Sequence, residues 1–537
     1  MILQTGRKMT KNKTRTTNTL LNFASSLGGQ FFQVLLQFVV RTVFIATLGK
    51  SYLGINGLFS NILTMLSLAE LGIGSAILFK LYEPIVKKDH SRIVMLMDFY
   101  KTAYRVIGAF IFVTGLCLIP FLPYLIKGYE KLDALHINAV FIFILYLMQS
   151  ASSYFFFAYK SSIIKANQKG YIVNIVHYAA SVAGSLLQIA CMYMFRNFTL
   201  YVVILIVQSI GQNIVTAVIA DRMYPYIKKK AEEKMSKEEA VGIFKDCGAL
   251  FLYKLNQVVI KATDNIVIST FIGFEMVGMY SNYYIFYATI NTFFNRIFDS
   301  VVHSFGNLHA SSSSKHEYEV FEGANLVTAV LGATAGVGIF VCSDEFVRVW
   351  IGEDWLLAEP FSLLMGIEVF TLAFRKIMGR YRNAMGLFQQ AKWRPLAGMI
   401  INLAVSIMLV NIWGVCGVLA GTIIADWSTY MWFDPLVINK YGFKNTFPIR
   451  RYYYKFLRYF LITVILGGMD YYLCTHFLTG MGWLSVIIHA MICAITVPGI
   501  FVLLFRGSPE GKYLIRLVTP YINRLLKRTG RQKKEGK

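Results

Sequence analysis

Charge is scarce in this chain, and acid is scarcer still. Only 15% of its 537 residues are charged, with 29 Asp and Glu against 53 Lys and Arg, while 56% are hydrophobic and the mean hydropathy is +0.53. That balance lies outside the usual range of a water-soluble globular protein. Cysteine is sparse as well: Cys117, Cys191, Cys247, Cys342, Cys416, Cys474 and Cys493 stand singly, with no CxxC pair. The spacing excludes a disulfide framework and leaves the thiols as small core hydrophobes. Catalytic signatures are missing too. "LGKS" (48–51) has Phe44 where a phosphate-binding loop needs glycine, and "HEYEV" (316–320) lacks the second histidine of a zinc motif. The sequence thus offers no ATPase motor, no metal centre and no cofactor fingerprint, and it does not read as an enzyme.

What it has is apolar length. A bilayer core about 30 Å thick needs roughly 20 apolar residues per helix, and such stretches recur from end to end. They predict an all-α polytopic membrane protein with fourteen spans, centred near residues 33, 65, 113, 147, 182, 210, 260, 290, 331, 370, 401, 424, 465 and 491. The segments between them sort the bases. With both termini in the cytoplasm, the inner side (1–18, 80–105, 160–169, 222–245, 315, 375–394, 440–458 and 506–537) holds 44 of the 53 Lys and Arg. The outer side holds six, and Lys254, Lys261 and Arg296 fall inside spans. This asymmetry sets orientation and accounts for the net charge of +24 through anionic inner-leaflet lipid, with no nucleic acid needed. The outer loops are short, the largest around "SDEFVRVWIGEDW" (343–355). The basic, amphipathic carboxyl end is expected on the inner membrane surface.

The chain also repeats itself. "TLGKSYLGINGLFS" (47–60) and "FIGFEMVGMYSNYY" (271–284) align Gly49 with Gly273 and Gly54 with Gly278, both at an offset of 224. The offset returns with "YLIKG" (124–128) over "RVWIG" (348–352), and near 223 with "ANQKG" (166–170) over "QAKWR" (390–394). The matches predict two copies of a six-span unit, 19–222 and 246–440, joined by a charged linker at 223–245 and followed by spans thirteen and fourteen (441–505). Copies with an even number of spans share orientation, so the two lobes should be related by an axis along the membrane normal.

Several spans carry polar stripes. In "GGQFFQVLLQFVVR" (28–41), Gln30, Gln33, Gln37 and Arg41 share one helical face, extended toward the amino end by Ser26 and Asn22. Such a seam must face protein or water. Span two carries Asn56, Ser60, Ser67 and Glu70 on a face, and span five Asn174, His177, Ser181 and Gln188. In the second copy, Lys254, Lys261 and Asn265 share a face of span seven, Arg296, Asp299 and His303 a face of span eight, and Glu368, Thr371, Arg375 and Arg382 a face of span ten. A base near the midplane costs about 2.5 to 3.5 kcal/mol on insertion scales, so these groups imply a hydrated cleft or anionic contents. A structural reading stands beside that one. Lys261 with Asp264, and Arg296 with Asp299, are three apart and could neutralise each other, and the amide seams could be interhelical glue. Glu70, Asp264, Asp299, Glu368 and Asp426 are candidates for holding a coupling sodium ion or proton.

At "GKSYLGINGLFSNILTMLSLAELGIGSAI" (49–77) the chain resembles the polysaccharide-export, Wzx-type branch of the multidrug/oligosaccharidyl-lipid/polysaccharide flippase superfamily. "YKSSIIKANQKGYIVNIV" (159–176) and "KATDNIVISTFIG" (261–273) support the likeness, and the fourteen-span plan extends it over nearly the whole chain. The resemblance implies a V-shaped pair of six-helix lobes in the bacterial cytoplasmic membrane, moving an undecaprenyl-pyrophosphate-linked oligosaccharide between leaflets by alternating access. It further implies that Arg41, Lys254, Lys261 and Arg296 line a cationic cavity on spans one, seven and eight. The partners are then the anionic lipid-linked cargo, membrane lipid and a coupling cation, and a monomer is the expected state. The acidic residues on the same helices depart from a purely cationic cavity. A cation-coupled multidrug antiporter of the same superfamily, a lipid II flippase and a membrane-embedded polysaccharide polymerase are the competing readings.

Overall fold

A computed structural model describes residues 28–30, 32–67, 73–134, 137–229, 231, 235–242, 263–311, 313–387, 389–517 and 519. Among the described residues there is no strand. Up to residue 223 the chain forms α1 (Gly28–Leu48), α2 (Lys50–Leu66), α3 (Ile73–Lys87), α4 (His90–Leu118), α5 (Ala139–Phe155), α6 (Gly170–Phe195) and α7 (Phe198–Met223). There follow α8 (263–271), α9 (Phe274–Ser311), α10 (Ser314–Ile351), α11 (Pro360–Ala384), α12 (Arg394–Trp413), α13 (Val415–Val437), α14 (Ile449–Phe477) and α15 (Trp483–Phe505). Thirteen of the fourteen expected span centres fall inside these helices, and the one near residue 260 lies outside the described residues.

Among the described residues, α1, α4, α6, α7, α10, α12, α14 and α15 are long and apolar enough to cross a membrane. The pair α5 and Ala158–Ala166, bent by 44°, makes a ninth. The chain is a multi-pass membrane protein of the all-α class, and its surface agrees: Tyr193, Ile412, Ile495 and Phe477 point outward while Asp434, Asp470 and Asn282 are fully buried. That inversion suits a hydrocarbon solvent. Helices α9, α11 and α13 fall short of the test, and they are the ones carrying Arg296, Asp299, Glu368, Arg375, Lys376, Arg380, Asp426 and Asp434.

Helix ends follow local chemistry. Asp89, Asn138 and Asn197 each accept the backbone N–H three residues on, at 2.9, 2.9 and 3.1 Å, which satisfies an orphan donor of the first turn. Three expected connections prove to be helix. Only Lys88 and Asp89 separate α3 from α4, so 80–105 is no loop. At its carboxyl end α10 runs through to Ile351, which turns most of 343–355 into helix; at 1.5 Å per residue its 38 residues reach about 57 Å, well beyond the hydrocarbon thickness. The bases Arg375, Lys376, Arg380 and Arg382 lie inside α11 rather than on an inner loop. Periodic amphipathicity carries helices past the membrane surface, and hydropathy alone does not see this.

Contacts divide the chain into two compact units, Met1–Gly278 and Met279–Lys537. In the first, Phe59 meets Phe143 and Tyr146, and α8 is tied to the segment after α4, Lys127 Nζ donating to Phe271 O at 2.6 Å. In the second, small residues let helices touch. A Cβ on Gly336 of α10 would lie 2.6 Å from Gly366 O of α11, and one on Gly417 of α13 would lie 2.2 Å from Leu409 O of α12. Gly332/Gly336 and Gly417/Gly421 are both small-xxx-small pairs, the spacing that brings backbones together in lipid.

Candidate functional site

On α1 the seam and the lipid face separate. Phe32, Leu35 and Val39 are about half exposed and share one side of the helix; Gln30, Gln33, Gln37 and Arg41 take the other. Val40 and Phe44 are buried, Phe44 on the seam's own side and edge-on to Phe198 and Tyr201 of α7. Gln30, Gln33 and Arg41 are half-buried, and Gln37 is exposed. Facing acyl chains, that exposed amide would leave its four hydrogen-bonding sites unmet. Arg41 stands one turn further along, in electrostatic contact with Tyr201. Asn22 and Ser26 lie outside the described residues.

Asn56 is half-buried on α2, where its Oδ1 accepts from the Tyr146 hydroxyl of α5. Ser67 meets Ser150 at 3.4 Å. The stripe of span five is closed by α7: His177 Nδ1 lies 3.1 Å from Gln212 Oε1, and Ser181 and Gln188 are buried. Here the amide-as-glue reading holds. Glu70, Lys254 and Lys261 lie outside the described residues, and Asp264 is buried at the start of α8.

In the second unit Arg296 is exposed on α9. Asp299 turns instead to Arg380 of α11, at 2.6 Å, which replaces the local Arg296–Asp299 pairing expected from their spacing. A neighbouring helix offered a guanidinium in better reach, and the sequence alone carried no sign of it. Glu368 and Asp426 do come together. Both carboxylates are buried against Arg375, Glu368 at 3.6 Å and Asp426 in direct contact, with the Tyr287 hydroxyl 3.2 Å from the guanidinium. About two helical turns on, Arg382 and Arg394 both bind the fully buried Asp434, and Arg394 stacks on Tyr430 with its guanidinium 3.9 Å from the ring centre. Three arginines and three carboxylates thus form a balanced chain through α11, α12 and α13. Buried charges are tolerated when paired in this way.

Sequence reasoning passed over Tyr287, Lys376, Arg380, Arg394 and Asp434. Lys376 and Arg380 looked like topology markers. Their role depends on the register of α11 against α9, which no local pattern encodes.

These observations define a class: a multi-pass helical membrane protein whose intramembrane charges are sorted into paired networks and exposed polar seams, the arrangement of a carrier. Residues 48–360 match the family described as polysaccharide biosynthesis protein, and the chain belongs to that family. Its fold is similar to a solved structure titled lipid II flippase MurJ, inward closed conformation, with a TM-score of 0.64 at 17% identity over 90% of this chain and 99% of that one. It is also similar to a multidrug resistance MATE family transporter of the MOP superfamily, inward-facing (0.53, 14%, 78% and 96%) and outward-facing (0.51, 13%, 80% and 97%). No curated protein sequence matches it. Family and fold agree with the resemblance read at residues 49–77.

Proposed function

We propose that the chain is a flippase that carries an undecaprenyl-pyrophosphate-linked oligosaccharide from the inner to the outer leaflet of the bacterial cytoplasmic membrane, by alternating access, for cell-surface polysaccharide synthesis. The observation that carries this reading is the α1 seam, with Gln37 exposed on the side away from lipid and Arg41 a turn beyond it. A diphosphate cannot enter hydrocarbon uncompensated. Arg41, Lys254, Lys261 and Arg296 balance its charge by charge-assisted hydrogen bonds. Gln30, Gln33, Gln37 and Asn56 bond the sugar hydroxyls, and the prenyl chain stays in lipid. No bond of the cargo is made or broken.

A sodium ion or proton, held by carboxylates among Glu70, Asp264, Asp299, Glu368 and Asp426, couples the cycle to the membrane gradient. Lipid II as cargo is the second reading, supported by the extent of the match to the MurJ structure; it presents the same diphosphate. Deleting the gene and following the lipid-linked sugars of the inner leaflet tests both. Accumulation of a surface-polysaccharide repeat unit supports the first reading, and accumulation of lipid II with cell lysis replaces it by the second.

A further inference from the structure

Helices α9 and α11 meet along a ladder with constant register. Tyr287 bonds Glu368 at 3.3 Å, Lys376 Nζ donates to Asn295 Oδ1 at 2.8 Å, and Arg380 pairs with Asp299 at 2.6 Å, every partner 81 residues apart. The rungs fall at i, i+8 and i+12 on each helix, along one inclined i±4n ridge. The missing rung, Asn291 opposite Leu372, leaves Asn291 Oδ1 buried with no hydrogen-bond partner, and Arg380 Nε is in the same condition. The ladder changes character along its length. Its upper rung joins the closed Arg375 network; its lower rungs open, with the Asp299 side chain 59% exposed and Arg296 exposed beside it.

We propose that Lys376 and Arg380, with Arg296, form a diphosphate subsite on the second unit, and that Asp299 holds Arg380 in place until the ligand displaces it. This rests on the flippase reading above and adds Lys376 and Arg380, which that reading does not use. Lys376 is eight residues and Arg380 four from the carboxyl end of α11, roughly 12 and 6 Å at the helical rise, so Lys376 at least sits where a cation facing acyl chains is costly. A diphosphate esterified at both ends carries two negative charges, which the ammonium and guanidinium groups can meet once Asp299 is displaced from Arg380. The arginine supplies a planar fork, which suits paired phosphate oxygens, and the lysine a point charge. Bases one turn apart on one rigid helix hold that geometry without reorganisation. A purely structural ion pair would give Asp299 the opposite role, as a partner whose loss weakens the site.

The test uses the full-length protein in nanodiscs with a short-chain prenyl diphosphate as ligand, prenyl monophosphate and inorganic pyrophosphate as competitors, and thermal unfolding as a check on folding. The subsite requires Lys376→Gln and Arg380→Gln each to weaken prenyl diphosphate binding about tenfold with little effect on the monophosphate. It requires Asp299→Asn to tighten binding severalfold. Should Arg380→Gln fail to fold, Lys376→Gln and Asp299→Asn still decide the matter. Unchanged affinity in K376Q and R380Q while Arg41→Gln loses binding would overturn the subsite and leave the flippase reading standing. Weaker binding in D299N would also overturn it. Equal competition by inorganic pyrophosphate would assign a soluble diphosphate and so reject the lipid-linked ligand. Absence of any diphosphate binding by the wild type would remove the flippase reading and the subsite together.

Discussion

Gly54 lies so close to Phe274 that a Cβ on it would come within 1.9 Å of the Phe274 carbonyl oxygen. The relation is reciprocal: a Cβ on Gly278 would come within 2.9 Å of the Lys50 carbonyl oxygen, and Ser51 donates to Glu275 at 3.0 Å. Ser51 and Glu275 differ by 224, and so do Lys50 and Phe274 and Gly54 and Gly278, so the two close approaches are the same contact made in both directions. The two helix starts therefore touch reciprocally, Gly54 against Phe274 and Gly278 against Lys50. Glycine is required on both sides because backbone meets backbone.

Gly54→Ala should accordingly force the two backbones apart, with an overpacking cost of about 1–3 kcal/mol. The expected result is a lowered unfolding temperature in detergent and reduced polysaccharide export. Gly468→Ala, where nothing lies within 4 Å of the added carbon, should leave both unchanged.

The Arg375 network predicts an asymmetric double-mutant cycle. Arg375→Leu alone leaves Glu368 and Asp426 buried without their guanidinium and should cost about 3–5 kcal/mol. Adding Glu368→Gln and Asp426→Asn should restore much of the loss, because neutral amides need no counter-charge. Unfolding curves for the single, double and triple variants check this.

Outside the membrane, Glu510 ties the segment after α15 to α14. Its carboxylate accepts from Lys455 at 2.9 Å and from Tyr459 at 3.3 Å, and Lys455 also reaches Glu322 at 2.9 Å. Burial pushes the carboxyl up, but Lys455 and the surrounding hydrogen bonds outweigh it and hold Glu510 below the usual glutamate range. A carboxylate depressed in the folded state contributes stability above its unfolded pKa and loses it as pH falls through the folded value. Protease sensitivity of residues 509–517 should therefore rise as the medium is acidified below the ordinary glutamate range. Glu510→Gln should show that sensitivity at neutral pH.

Much of this was legible in advance. The positions of most helices, the helical class and the family followed from apolar length and from residues 49–77, because a bilayer imposes a fixed length on each helix. The α1 seam was legible because one helical face is a local property. Partners were not. Asp299 chose Arg380 over Arg296, and Glu368 and Asp426 shared Arg375, because those choices depend on how α9, α11 and α13 register against one another. Connections were misread for a related reason: helices such as α10 continue past the apolar window that reveals them.

Arg41 gives the most direct test of the account. Cells carrying Arg41→Gln at wild-type abundance should lose at least nine-tenths of their surface polysaccharide and accumulate its diphosphate-linked precursor on the inner leaflet. Normal polysaccharide with no accumulated precursor would contradict the claim that a half-buried cation on α1 escorts the diphosphate across.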